Sequence, residues 1–93
     1  MIQSKWIRRE LVRLLEHCAK ADIEGVLVVF KKENKQSPLI ARMKCMLENG
    51  RMLSGEALIA DRNGKLMPIF AIVDDGKMSR TYFYDSAAST WST

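Results

Sequence analysis

Metal-binding and redox residues are scarce in this chain. It has one histidine, His17, and two cysteines, Cys18 and Cys45, among 93 residues. A zinc site needs more such ligands at set spacing, so no metal is expected. Two cysteines are also too few for a disulfide framework. Both fall at positions read below as core-facing, where a free thiol behaves as a small hydrophobe in a reducing compartment. No apolar run approaches the roughly 20 residues of a membrane span. Arginine and glutamate interrupt the N-terminal stretch where a secretory leader has its apolar centre. The sequence therefore points away from a membrane and toward the cytoplasm.

Catalytic patterns are missing as well. Ser54-Gly55-Glu56 lacks the flanks of a nucleophile elbow, and His17 has no partner at readable spacing. Asp61, Asp74 and Asp75 stand at turn positions, where local backbone hydrogen bonds explain an aspartate, and the turns are too short for a calcium loop. The glycines belong to turns and not to a strand, Gly-rich loop and helix that would cradle phosphate. No enzyme and no cofactor is expected.

What the chain does have is a regular series of turns. Asn49-Gly50, Asn63-Gly64 and Asp75-Gly76 separate apolar-rich runs about a dozen residues apart between Leu39 and Tyr84. That pattern predicts a β-meander. With 47% hydrophobic and 28% charged residues, the composition is that of one folded domain near the lower end of comfortable size.

Residues 2 to about 21 read as an amphipathic helix. At about 100° per residue, Ile7, Leu11, Leu14, Leu15, Cys18 and Ala21 fall within an arc of about 120°. Ser4 is placed to cap its start. Lys5, Arg9, Arg13 and Lys20 lie opposite, with Glu16 among them and Trp6 and His17 at the margin. The first 21 residues hold five basic and two acidic residues, which is most of the chain's net charge of +4. That strip is either a solvated face or an electrostatic footprint for an anionic partner.

Val26 to Lys31 is a continuous β-branched and aromatic run, the composition of a strand buried on both faces. The polar stretch from Lys31 to Pro38 is a loop and a candidate contact segment. The next two runs fix their own register by parity. A two-residue turn at Asn49-Gly50 would put Arg42 and Lys44 on the face of Leu53 and Ile59. A three-residue loop, Glu48-Asn49-Gly50, with Gly50 left-handed in a bulge, instead aligns Ala41, Met43 and Cys45 with Leu53, Gly55 and Ala57. It also sets Arg42 against Glu56 and Met46 against Met52 on the other face.

A four-residue loop over Asp61–Gly64 then sets Phe70 across from Gly55. Pro68 requires an edge position or a bulge. The last strand, Met78 to Tyr84, alternates Arg80, Tyr82 and Tyr84 against Ser79, Thr81 and Phe83, in a register the pattern leaves open.

The expected architecture is α+β: an N-terminal helix packed on a five-stranded, mostly antiparallel β-meander, either open or curled into a small barrel. Residues 1–84 form the domain, and residues 85–93 form a flexible tail unless Trp91 docks.

Two kinds of partner follow. One helix cannot cover both sheet faces, so Ile40, Met46, Met52, Leu58 and Met67 are left as an apolar surface suited to a protein partner, either another copy or a different chain. The alternative is nucleic acid, using Lys5, Arg9, Arg13 and Lys20 on the helix with Arg80, Tyr82 and Tyr84 as a stacking strand. Leu47-x-x-Gly50, then Gly55, then Asp61 is similar to the first half of the Sm-like RNA-binding pattern over about fifteen residues. That resemblance implies a helix followed by five bent strands and adds to the nucleic-acid alternative. The chain departs from the pattern at Lys65, where the family has asparagine, in an extra strand before the match, and in lacking a fifth strand after Tyr84.

Overall fold

A computed structural model describes residues 2–93, with side chains from Lys5 onward. The elements are α1 (Ile2–Ala19), β1 (Ile23–Lys31), β2 (Leu39–Leu47), β3 (Met52–Arg62), β4 (Lys65–Asp74), β5 (Ser79–Asp85) and β6 (Thr90–Ser92). The strands pair consecutively and antiparallel in the order β1-β2-β3-β4-β5-β6. The α+β meander expected from the sequence is therefore present, with one correction: it has six strands, not five. Of the two forms expected it takes the open one, with β1 and β6 at opposite edges.

The helix ends two residues earlier than its apolar pattern suggests. Lys20 takes a left-handed φ of 51° and stops it, leaving Ala21 exposed while Ala19 is buried in its place. Its start, at Ile2, puts Ser4 inside the first turn instead of before it; the Ser4 side chain lies outside the described residues.

Ile7, Leu11, Leu14 and Leu15 are fully buried against one face of the sheet. Burial of such side chains stabilises by roughly 1.5–3 kcal/mol each. Beneath them, Ala41, Ala57 and Ala71 stand directly opposite one another on β2, β3 and β4, and all are buried. Three methyl groups in a row make a trough in which the helix can sit close. Met43, Cys45, Leu47, Leu53, Ile59 and Val73 fill its flanks.

The β2–β3 turn is the bulged loop read from parity. The Leu47 amide donates to the Arg51 carbonyl at 2.9 Å, the Gly50 amide to the Leu47 carbonyl at 3.0 Å, and Gly50 has φ +84°. Arg42 faces Glu56 at 3.5 Å and Met46 faces Met52.

The next turn differs from the expected loop over Asp61–Gly64. Arg62 pairs with Lys65, so Asn63 and Gly64, at φ 56° and 79°, make a two-residue turn. Asn-Gly adopts two successive left-handed residues at low cost, and the register is corrected further along. Between Leu58 and Ile59 the pairing shifts by one residue at Ile69, beside buried Pro68, which is the bulge that proline needs. Gly55 consequently faces Val73, not Phe70, and Phe70 lies opposite Leu58.

β1 also corrects the sequence reading. It is an edge strand, with Val26, Val28 and Phe30 packed against the core while Leu27 and Val29 are exposed. At the other end, Trp91 docks and its neighbours form β6. The Trp91 Nε1–H donates to the Glu10 carbonyl at 3.1 Å.

Candidate functional site

Because α1 lies on one face only, every second residue of the strands projects from the uncovered face. The pairings arrange these side chains in rows. Ile40, Leu58, Phe70 and Phe83 form one row, followed by Val29, Arg42, Glu56 and Ile72, and then Leu27, Lys44, Ser54 and Asp74. Met46 and Met52 close the far end.

Leu27, Val29, Met46, Met52, Ile72 and Phe83 are each between 43% and 60% exposed. A groove of ≈ 710 Å³ runs across the middle of this face, lined by Leu27, Val29 and Ile72 with Arg42, Lys44, Glu56 and Asp74. The two cations sit on β2, and the two carboxylates on β3 and β4. The Ser79 hydroxyl donates to the Asp74 carboxylate at 3.2 Å.

All five residues expected at a protein interface lie on this face, but not as one patch. Ile40 and Leu58 pair at one end, half-buried beside Phe70, while Met46 and Met52 pair at the other. The charged rows separate the two groups. Met67 is half-buried beside Ala60. Sequence reasoning missed Leu27, Val29, Phe70, Ile72 and Phe83. The first two have the composition of a strand buried on both faces, and Phe70 is turned outward by the one-residue bulge at Ile69, which has no local signal in the turn. Phe83 depended on a register that only the β4–β5 pairing supplies.

No known family, curated protein or solved structure matches this chain. Its surfaces must therefore be read from their own chemistry.

The residues considered for nucleic acid divide between two surroundings. Lys5, Arg9 and Lys20 are exposed on the helix. Arg13 is turned back onto buried Glu10, with both carboxylate oxygens at 2.8 and 2.9 Å. Arg80, Tyr82 and Tyr84 do share a strand face, but it is the face under the helix. Tyr82 opposes buried Ala71 and is 8% exposed, its ring edge-on to His17 at 6.4 Å. Tyr84 lies edge-on to Trp6 at 6.3 Å and Trp91 at 5.0 Å, and its hydroxyl donates to Glu10 at 3.2 Å. These two rings serve the core and offer no free face for a base to stack on.

A second, more polar cavity of ≈ 410 Å³ lies at the C-terminal end of α1, among Cys18, Arg51, Asp75, Arg80 and Tyr82. Burial pushes the Cys18 thiol up, against a smaller lowering by its hydrogen bond with Tyr82. Tyr82 is raised in turn, first by that bond and then by burial. A thiol held protonated is a poor nucleophile. Burial raises Cys45 too, and both cysteines are free. Among the described residues no group of three or more His, Cys, Asp or Glu converges to hold a metal ion. No helix there is long and apolar enough to cross a membrane.

Asp61, Asp74 and Asp75 each accept backbone amide bonds in their turns, from Gly64, Gly76, and Lys77 with Met78 respectively. Two of those amides fall on the Asp75 carboxylate and hold it below the usual range.

Proposed function

We propose that this chain is a non-enzymatic interaction domain of a reducing, cytoplasmic compartment, and that it self-associates by packing the open face of its sheet on that of a second copy. The observation that carries this reading is the set of six large apolar side chains, each 43% to 60% exposed, on a sheet covered on one side only. So many exposed large apolar side chains on one face mark an interaction surface.

Charge argues for the second copy as occupant. Arg42 and Lys44 on β2 balance Glu56 and Asp74 on β3 and β4, so the groove at the centre of this face is neutral although the chain carries +4. A two-fold axis running along the strands between β2 and β3 lays Arg42 of each copy over Glu56 of the other. It also brings Val29 over Ile72. An isologous contact needs self-complementarity of this kind. Six strands at about 4.8 Å spacing make the face about 24 Å wide. Two such faces bury on the order of 1,000 Å², the size at which an interface becomes specific.

Size exclusion with light scattering over a concentration series tests the reading. The full chain should self-associate as concentration rises, and Ile72→Asp, in the middle of the groove, should remove the association made through this face with its circular dichroism unchanged. A wild-type chain that stays monomeric up to about 1 mM would sink it.

A second reading is supported by the helix. Lys5, Arg8, Arg9 and Lys20 are exposed, and none has a carboxylate partner among the described residues. Random RNA and DNA should then shift on a gel at low salt and be released as salt rises, because phosphate contacts are lost with counterion return. If neither acid shifts at low salt, the strip is only a solvated face.

A further inference from the structure

The hydrogen-bond alternation of the meander determines which backbone groups of β1 are unused. Leu47 donates to Arg51, so the odd-numbered residues of β2 bond to β3. The even-numbered residues, Ile40, Arg42, Lys44 and Met46, therefore bond to β1, where they face Lys31, Val29, Leu27 and Gly25. The bond from the Glu48 amide to the Asp22 carbonyl, 3.0 Å, continues the same alternation past the bulge at Glu24. By elimination the N–H and C=O groups of Val26, Val28 and Phe30 point away from the sheet. Among the described residues nothing bonds to them.

Natural edge strands are usually blunted by proline, by an outward lysine, by extreme shortness or by a covering element. Here β6, three residues long, is blunted by shortness. β1 is nine residues long, with no proline and no charge between Glu24 and Lys31. Val26, Val28 and Phe30 turn their side chains to the core, so only backbone stands at the edge.

We infer that this edge pairs, antiparallel, with β1 of a second copy, joining two six-stranded sheets into one. The strand is complementary to itself in that orientation. With Val28 on the two-fold axis, the three free residues bond to one another, Val26 facing Phe30 of the second copy. Leu27 then faces Val29 across the seam, and Glu24 approaches Lys32 at each end. The pairing uses a surface separate from the open face, so the two contacts stand or fall independently. Together they let one chain bind two copies of itself.

Residue-resolved amide hydrogen exchange on the full chain tests the edge, over about 10 μM to about 1 mM. Amides of Leu27 and Val29 should be protected throughout. Those of Val26, Val28 and Phe30 should exchange freely when dilute and slow by about tenfold or more when concentrated. Ile72→Asp should leave that concentration dependence in place, which separates this contact from the face. Val28→Pro removes one outward N–H and should abolish it in a folded chain, whereas Val29→Pro takes a donor from the β1–β2 ladder and should unfold the strand. Free exchange at Val26, Val28 and Phe30 at every concentration overturns the proposal. That wild-type measurement decides even if no proline variant folds.

Discussion

Glu10 and Trp91 stand 81 positions apart and are joined by a hydrogen bond of 3.1 Å from the indole N–H to the helix carbonyl. Three paired residues would not hold β6 in water by themselves. The indole supplies what the strand lacks: it lies edge-on to Tyr84, whose ring also meets Trp6. The start of the helix, the fifth strand and the tail are thereby tied in one aromatic cluster. Trp91→Ala should cost about 2 kcal/mol, because a half-buried ring contributes less than the 3–5 of a core one. Trp91→Phe keeps the ring and loses one donor, about 0.5–1 kcal/mol. Urea unfolding followed by circular dichroism checks both values. An alanine variant within about 0.5 kcal/mol of wild type would mean that the docking adds nothing to stability.

The Glu10 side chain holds the same cluster from beneath. It is 5% exposed, gripped by Arg13 and reached by the Tyr84 hydroxyl. Arg13 is itself about half exposed, so water screens the ion pair and it contributes about 1 kcal/mol or less. Glu10→Ala should therefore cost about 1–2 kcal/mol in all, and the cycle with Tyr84→Phe should show a coupling of about 0.5–1 kcal/mol. Additive losses would show that the 3.2 Å contact carries no energy of its own.

Glu10 also marks where sequence reading stopped. A glutamate three residues before an arginine looks like a surface pair, and only β5 and β6 packing beside it turns it into a buried hub. Local signals fared better. Parity across Glu48-Asn49-Gly50 fixed a register because one answer kept Arg42 and Lys44 out of the core. It failed at Asn63-Gly64, where a compensating bulge at Ile69 lay several residues beyond the turn. The core face was legible through Leu11, Leu14, Met43 and Leu53, whose spacing is set by the elements themselves. The open face was only half legible. Leu27 and Val29 have the composition of covered residues, and nothing local says that the chain supplies no second layer.

Gly55 gives a sharp test of that register. A Cβ there would lie 2.7 Å from the Ile72 carbonyl oxygen, and backbone in mid-sheet cannot step aside. Gly55→Ala should destabilise by about 1–3 kcal/mol or more, with the loss concentrated at the β3–β4 pairing. Gly25→Ala is the control, since nothing lies within 4 Å of its Cβ position. It should stay within about 0.5 kcal/mol of wild type, with a slight gain from restricting the unfolded chain. Equal effects at both positions would contradict the close approach of Ile72 to Gly55.

The alkaline limb of stability should report the tyrosines and both cysteines, since burial raises Cys45 as well. Tyr82 is raised by its bond with Cys18 and by burial, Tyr84 chiefly by burial, and Cys18 by burial. In each case the folded state holds the proton more tightly than the unfolded chain. The stabilisation is therefore complete below the unfolded values, about 8.5 for cysteine and about 10 for tyrosine, and is lost as pH rises through the raised folded ones. Unfolding free energy should be level near neutrality, begin to fall near pH 8.5–9 with Cys18 and Cys45, and steepen above about pH 10 as the tyrosines ionise. The slope per group is at most about 1.4 kcal/mol per pH unit. Cys18→Ala should flatten the first part of that fall, and Tyr82→Phe the second. The decisive quantity is the difference between each variant and wild type. Parallel curves for wild type and both variants would show that neither proton is held by the fold.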